Sequence, residues 1–434
     1  MSGQPRAYWC WLVLLLALVA GCWAWAFPGC YLYDDFAMPL GDRACLGLGT
    51  WWARGLFQLR LLTKLTFALE STLGLGSASA RRANSLAIHL AGVALLWRVL
   101  RERWQAGART AFLLALIYGI HPIHAESVLA LAGRSSALAT ALVLAALLAH
   151  DPRRRWRRVL LLVMAVLARE TALAAGVALV LFDSPAERSW RARFIGAGLL
   201  AGLTALWTAL VPRYRDLLDY SFLGRPWSAS TVAQVAAIPH GLSLYLRPWA
   251  LSADHGEALP KTPWHPLFLA GAALLAVALF CLWRTRRDRL FALPLALWLA
   301  AIVPTQTVIP KLDALTERPL AAALPGIILL LASLSAAVTA LRWRRILGIL
   351  AAGVAAALAC ACIARATLYR SELAFWADAA GKRAVSTRSL LNHATILMDA
   401  RRFSEAREVL ERARQRSPLH PLVQAKLRYL DLRQ

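Results

Sequence analysis

The fold class is decided by residues 8–27, YWCWLVLLLALVAGCWAWAF. This stretch carries no charged side chain over about 20 positions, the length of helix that crosses the hydrocarbon core of a bilayer. Arg6 precedes the stretch and no small-residue cleavage site ends it. We therefore expect an uncleaved membrane anchor rather than a signal peptide that is removed.

The rest of the chain repeats this pattern. Of 434 residues, 59% are hydrophobic and 17% are charged, whereas a soluble protein carries roughly a quarter charged residues. This composition excludes an ordinary cytosolic enzyme, a disordered chain and a fibrous one. It predicts an all-α, polytopic membrane protein with about 11 transmembrane helices. The further apolar segments lie near 83–100, 110–131, 134–150, 159–183, 194–211, 264–283, 290–305, 319–340 and 345–364.

The chain is strongly basic, with 49 Lys and Arg against 24 Asp and Glu. Much of this excess lies in arginine clusters between apolar segments, which favours an orienting role at the lipid bilayer over nucleic-acid binding. If all the clusters are cytoplasmic, the N-terminus is cytoplasmic and the tail is extracytoplasmic, in what we expect to be a bacterial inner membrane. The clusters are Arg98–Arg109, Arg153–Arg158, Arg188–Arg193, Arg284–Arg289 and Arg342–Arg345.

Two segments do not fit simple crossings under this topology. Segment 159–183 begins and ends beside basic clusters, so we predict a hairpin of two short helices broken near Arg169-Glu170. Segment 229–247 must begin and end outside, which predicts a re-entrant or interfacial helix. Pro239-His240 and Pro248 indicate that this helix is broken.

The sequence divides into a membrane domain, 1–364, and an outer tail, 365–434. The tail has the small-residue, proline and leucine spacing of one 34-residue helix–turn–helix repeat. A single repeat buries little core by itself, so we expect the tail to pack on the membrane domain or on a partner. The matching positions are Leu390, Ala394, Leu397, Ala406, Leu410, Ala413 and Pro418.

Ionisable residues gather at what this topology makes the outer face. Taken alone, each pair has an ordinary explanation, either a structural ion pair or a solvated turn. The convergence of the pairs on one side indicates a site. Adjacent carboxylates suit a general base because burial and repulsion raise one pKa. Arginines beside carboxylates suit a lipid-linked phosphate. The candidates are Asp34, Asp35, His121, His124, Glu126, Arg134, Arg169, Glu170, Asp254, His255, Glu317 and Arg318.

Metal and redox chemistry receive little support from the residues. His121 and His124 form an HxxH pair, but its spacing, with Pro122 inside, is a poor match to a helical metal pair. We assign no metal ligand. No cofactor is predicted, and assistance by a divalent cation is left open.

The order of motifs resembles a known family. YDDF (33–36), HPIHAESVLALAGR (121–134), ARETALAAG (168–176), RPWALSADH (247–255), TERPLAAALPG (316–326) and YRSELAFW (369–376) follow one another along nearly the whole chain. This order resembles the transmembrane and tetratricopeptide-repeat O-mannosyltransferases and their bacterial relatives. These belong to the GT-C superfamily of polyprenyl-phosphate-sugar transferases.

The resemblance implies roles for the candidates. Asp34 or Asp35 would assist the acceptor hydroxyl, with Asp34 slightly favoured, and Arg134, Arg169 and Arg318 would bind the donor phosphate. Two departures put the sugar's identity in doubt: Arg169 replaces the usual Lys, and Pro319 replaces a common aromatic. The side chains expected to orient these groups or to contact sugar or acceptor are His121, His124, Glu126, Glu170, Asp254, His255 and Glu317.

The resemblance further implies an inverting transfer of a hexose from a polyprenyl-phosphate donor to a hydroxyl acceptor. The repeat-like tail favours Ser or Thr of an exported protein as acceptor. A lipid or cell-envelope glycan is an alternative acceptor. A transporter and a non-catalytic membrane scaffold remain alternatives from other classes, and a scaffold would tolerate loss of Asp34, Asp35 and Arg134.

Overall fold

The computed structural model describes residues 4–432 except 56, 184–188, 225, 257–259, 261, 312, 339 and 383–384. Every regular element in these ranges is helical, as predicted. The α-helices are α1 (Gln4–Trp23), α2 (Leu48–Ala53), α3 (Leu61–Thr72), α4 (Ala78–Glu102), α5 (Ala108–Ile120), α6 (Ala125–Val128), α7 (Arg134–Leu148), α8 (Arg155–Ala168), α9 (Ala172–Phe182), α10 (Trp190–Leu210), α11 (Pro212–Gly224), α12 (Trp227–Leu244), α13 (Pro266–Thr285), α14 (Arg289–Val303), α15 (Glu317–Ala337), α16 (Leu341–Leu368), α17 (Glu372–Gly381), α18 (Thr387–Asp399), α19 (Phe403–Arg416) and α20 (Pro421–Asp431).

The helices confirm a polytopic membrane protein. Within the described ranges, eight helical segments are long and apolar enough to cross a membrane. A ninth is obtained if α5 and the following turn, Pro122–Val128, count as one span bent by 46°. The predicted number of about 11 is therefore too high. It counted the two halves of 159–183 as separate spans, whereas α8 has 14 residues and α9 has 11, too few for either helix to span a bilayer.

The α8–α9 segment has the predicted form of a hairpin. The helices are interrupted at Arg169–Thr171, and their far ends meet where Arg158 Nη2 lies 3.1 Å from Asp183 Oδ2. Asp183 also lies 2.7 Å from Arg103 and pairs with Arg289. Three basic clusters that are distant in sequence therefore share one face of the molecule, and the Arg169–Thr171 turn lies about 16 Å from it along α9.

Helix α12 differs from its prediction. It runs unbroken through Pro239, so the expected break at Pro239-His240 is wrong. Pro239 has no N–H, which leaves the carbonyl of Val235 without its helical donor. Gly271 of α13 packs against that carbonyl so closely that a Cβ would lie 2.0 Å from the oxygen. The neighbouring helix thus covers the site that proline exposes, a way in which membrane proteins tolerate proline.

Both ends of α12 contact the region where α14 ends and α15 begins, while its placement at the membrane interface stays a prediction. Thr231 near its start donates to the carbonyl of Thr307, at 3.1 Å. Tyr245, just after its end, donates to the carbonyl of Leu320, at 2.7 Å. Thr307 follows α14 and Leu320 begins α15, so α12 lies across the junction between these two helices.

The start of the loop after α1 is fixed by close packing of α1 on α5. The indole of Trp23 donates to the carbonyl of Gly119 at 2.9 Å, and both groups are buried. A Cβ on Gly119 would lie 2.6 Å from Val19, so a larger residue would separate the two helices. Small residues at such contacts are typical of membrane helix pairs. This contact sets where the loop that carries Asp34 leaves α1.

The tail forms four helices, α17–α20. Its predicted repeat positions Ala394, Ala406 and Ala413 are fully buried between α18 and α19, which form a helical hairpin, while the assignment to the tetratricopeptide family stays a prediction. α16 continues past the predicted boundary at residue 364. The tail packs on the membrane portion, where Lys382 donates to the carbonyl of Trp249 at 2.9 Å.

Candidate functional site

A cavity of about 1440 Å³ opens beside the Arg169–Thr171 turn, at the end of the hairpin away from Asp183. Its walls come from the loop after α1, the turn between α8 and α9, the loops 252–255 and 304–318, the end of α16 and the start of the tail. Most of the residues predicted for the site line it together. They are Asp34, Glu126, Arg169, Glu170, Asp254, His255, Glu317 and Arg318.

Arg318 joins the two acidic motifs of the sequence. Its Nη2 lies 2.9 Å from Asp34 Oδ2, and its Nε lies 2.9 Å from Glu126 Oε1. The Asp34 side chain is 44% exposed, so its carboxylate is accessible from the cavity. One guanidinium from the late part of the membrane portion thus holds two carboxylates from its first half, with Asp34 open to an incoming group.

Asp35 has a different environment, which separates the adjacent aspartates that the sequence left equivalent. It is fully buried, and its oxygens accept the backbone N–H groups of Leu32, at 3.1 Å, and Ala132, at 3.2 Å. Burial raises the pKa of Asp35 to about 6, against the lowering effect of those N–H groups. Asp35 does not line the cavity. Its hydrogen bonds tie the Asp34 loop to the segment before α7.

A second polar group lies at the α8–α9 turn. Arg169 donates to Ser135 at 3.0 Å and to Thr171 at 3.2 Å, and these neutral partners leave its charge uncompensated by an ion pair among the described residues. Glu170 accepts from Tyr214 at 3.3 Å and lies 3.8 Å from Arg60. Thr63 donates to the carbonyl of Ala168 at 2.9 Å, which fastens α3 to this turn.

Glu317 organises a third side of the cavity. Its Oε1 accepts the backbone N–H of Ser252 at 2.7 Å and lies 3.2 Å from His255 Nε2. Arg365, at the end of α16, lies 3.7 Å from the same oxygen and 3.1 Å from Asp378 of the tail. Glu317 is almost completely buried, so it positions the loop and its histidine.

Asp254 holds the tail against the cavity. It accepts from Ser386 and from Ser389, and Arg388 lies 3.0 Å away. Burial works to raise the pKa of Asp254, but Arg388 and the Ser386 hydroxyl outweigh it and lower that pKa. Its Oδ2 contacts the tail and its Oδ1 accepts the backbone N–H of Gly256, so Asp254 anchors the tail although it also lines the wall.

Besides Asp35, three predicted residues do not line the cavity. Arg134 is fully buried, lies 2.6 Å from Glu70 and stacks over Phe67, an arrangement that matches the alternative of a structural ion pair. His121 lies 3.1 Å from the carbonyl of Tyr245. His124 is buried between other aromatic rings, with no hydrogen-bond partner for its Nε2 among the described residues.

Several lining residues were missed by sequence analysis. Arg60 and Lys311 lie in loops with no matching motif, and Tyr214 starts a helix that reads as an ordinary outer segment. Arg388 lies in the tail, which the sequence analysis interpreted only as a helical repeat. The only available signal was isolated cations in predicted outer loops, which is weak because such residues are usually solvated.

The cavity also has one apolar wall. Leu173 and Ala174 of α9 and Ala201 and Ala205 of α10 line this wall. The other face of α10 exposes large apolar side chains, as expected where a helix meets lipid. These are Leu199, Leu203, Leu206 and Leu210. The cavity therefore combines a polar interior with an apolar side next to a lipid-facing helix.

The comparisons with known proteins give a partial match. A stretch of 87 residues is 33% identical to a protein O-mannosyl-transferase of Caenorhabditis elegans. The stretch covers 20% of this chain and only 13% of the worm protein. No family model matches the chain, and no solved structure matches it. The match supports a relationship to a glycosyltransferase at most.

Among the residues that the structure describes, no three His, Cys, Asp or Glu side chains are grouped as ligands of one ion. The carboxylates of the cavity are instead distributed among arginines.

Proposed function

We propose that the protein is an inverting membrane glycosyltransferase of the GT-C type, using a polyprenyl-phosphate hexose as donor and a hydroxyl group as acceptor. The observation that carries this proposal is one cavity that combines an accessible carboxylate, arginines and an apolar wall. The partial likeness to a protein O-mannosyl-transferase supports the same class.

The donor phosphate would bind Arg169 and Arg318, with the prenyl chain along the α9–α10 wall. Arg169 has only neutral partners, so an anionic oxygen would find two or more free N–H groups. Arg318 would exchange Asp34 for phosphate, which leaves the Asp34 carboxylate free. Arg134 is omitted from this set because its donors are engaged with Glu70, Thr66, Ser85 and a backbone carbonyl.

Asp34 would act as the general base. The acceptor oxygen forms a bond to C1 of the hexose from the face opposite the phosphate and passes its proton to Asp34. The bond between C1 and the phosphate oxygen breaks, and its electron pair goes to the prenyl phosphate. Guanidinium groups already in place stabilise that developing charge, and such preorganised stabilisation is commonly the largest catalytic contribution.

The acceptor is proposed to be Ser or Thr of an exported protein. The support is that the tail contributes Phe375, Trp376 and Arg388 to the cavity wall, so an acceptor held by the tail would reach the donor. We further propose that the cavity faces away from the cytoplasm of a bacterial inner membrane, since the basic clusters gather at the opposite face.

The test is donor turnover by the purified full chain in nanodiscs. Release of prenyl phosphate from a short-chain prenyl-phosphate mannose is measured with a Ser/Thr-rich peptide acceptor. We expect Asp34→Asn to lower kcat by roughly 10²–10⁴-fold with little change in thermal stability, because Asp34 is accessible and makes one ion pair.

Asp431→Asn, at an exposed tail carboxylate, is the matched control and keeps full turnover. Retained turnover in Asp34→Asn would exclude Asp34 as the general base. Failure of the unmodified chain to bind the donor would contradict the proposed transferase reaction. Turnover with an envelope glycan but not with peptides would change only the acceptor.

A further inference from the structure

Lys311 is a cation of the cavity wall that no sequence motif indicated. It lies in the loop between Val308 and Glu317, and both sides of this loop are anchored. The carbonyl of Ile309 accepts from Gln234 of α12 at 2.8 Å. Asp313 accepts from Arg388 of the tail, with their closest atoms 3.0 Å apart. These two attachments hold the position of Lys311 beside the cavity.

The ammonium group of Lys311 has no ion pair among the described residues, and neither has that of Lys426 in the tail. Lys64 and Lys382 each pair with an aspartate. Asp313, the nearest acid in sequence, is engaged with Arg388. Lys311 therefore lines the cavity together with Arg169 and Arg318 and, among the described residues, has no ion pair.

We propose that Lys311 contacts the donor phosphate together with Arg169 and Arg318, and that donor binding is accompanied by proton uptake at Lys311. This inference rests on the proposed function. It adds a binding residue from the last outer loop and a pH dependence of donor affinity.

The electrostatic surroundings explain the proton uptake. Burial, helped by Arg169 and Arg318, lowers the pKa of Lys311 to about 7, against the raising effect of Asp313 and Glu126. A bound phosphodiester adds a fixed negative charge that raises this pKa, so the bound lysine is protonated. The other titratable or charged side chains that line this cavity are Asp34, Arg60, Glu170, Tyr214, Arg215, Asp216, Asp219, Asp254, His255, Glu317, Arg365, Tyr369 and Arg388, with Tyr33.

Donor affinity should fall as the pH rises above the pKa of Lys311. At pH 6 the free protein carries a charged Lys311 and binds the donor well. Above pH 7 the free lysine loses its proton, so binding must also take up a proton and the affinity falls. If the bound pKa lies about one unit higher, the dissociation constant is roughly tenfold larger at pH 9 than at pH 6.

The experiment measures equilibrium binding of short-chain prenyl-phosphate mannose to the full chain in nanodiscs at pH 6 and pH 9. This phosphodiester keeps one charge throughout that range, so the titration belongs to the protein. Lys311→Arg keeps its charge at both values and should lose the pH dependence. Lys311→Met should bind as weakly at pH 6 as the unmodified chain does at pH 9. Lys426→Met, in the tail helix α20, is the matched control and should behave as the unmodified chain.

The outcomes separate the two proposals. If the unmodified chain binds donor but Lys311→Arg keeps the tenfold pH dependence, the role of Lys311 is wrong and the transferase proposal stands. If the dependence disappears in His255→Gln instead, the titrating group is that imidazole and Lys311 is again excluded. If the unmodified chain binds no donor at either pH, the transferase proposal fails and this inference fails with it.

Discussion

Adjacent residues in this chain occupy unlike environments. Asp34 projects into the cavity and pairs with Arg318, whereas Asp35 is buried and accepts backbone N–H groups. A carboxylate used to hold a loop cannot also receive a proton from an acceptor without releasing that loop. The geometry thus favours Asp34 as the proposed base and gives Asp35 a supporting role.

Arg134 also has an environment that its sequence motif does not indicate. It ends the HPIHAESVLALAGR motif, yet its guanidinium is fully buried against Glu70 of α3. A buried charge whose partner is removed is strongly destabilising, whereas removal of both partners is tolerated far better. The structure therefore favours a role in joining α3, α4 and α7.

We predict that Arg134→Met lowers the free energy of unfolding by roughly 3–5 kcal/mol, because Glu70 loses its closest cation. Combining it with Glu70→Leu should recover much of that loss. Thermal denaturation in detergent measures both variants, and donor binding at a permissive temperature should be unchanged. A variant of normal stability that binds donor weakly would instead support phosphate binding by Arg134.

At the scale of elements, α12 shows how a neighbouring helix changes the outcome of a local rule. Pro239 predicts a break, but α13 covers the carbonyl that proline leaves unbonded. The contact needs a residue without a Cβ at position 271. Position 198 on α10 provides a comparison, since nothing lies within 4 Å of a Cβ built there.

We predict that Gly271→Ala lowers the thermal midpoint of the detergent-solubilised protein markedly, because the new methyl group would lie 2.0 Å from the Val235 carbonyl. Gly198→Ala should leave the midpoint unchanged or raise it slightly, since alanine is the better helix former. Equal midpoints for the two variants would show that α13 does not pack on α12 in this way.

At the scale of the whole molecule, charge is divided between two faces. Asp183 holds arginines from three basic clusters, while the cavity, lined by both acids and bases, lies at the other end of the α8–α9 hairpin. Basic loops remain cytoplasmic during membrane insertion. The tail, which packs on the cavity side, should then be extracytoplasmic.

We predict that alkaline phosphatase fused after the tail is active in a bacterial host, and that green fluorescent protein fused there is dark. A fusion truncated within the basic cluster Arg342–Arg345 should give the reverse pattern. The paired reporters control for expression level. The opposite result for both sites would invert the proposed topology and place the cavity on the cytoplasmic face.

The sequence by itself determined the helical membrane class, the hairpin break at Arg169–Thr171 and the grouping of most polar motifs. These follow from properties that a sequence carries locally: runs of apolar residues long enough to cross lipid, and charges too costly to expose there.

Only the tertiary structure decided which aspartate is accessible, that Arg134 is paired internally, that α12 is continuous, and that Lys311 and Arg388 belong to the cavity. Each of these depends on a partner far away in the sequence. Ala132 lies opposite Asp35, Glu70 opposite Arg134, and Gly271 opposite Val235. The environment of a buried polar group is set by such partners, and the spacing of residues along the chain does not specify them.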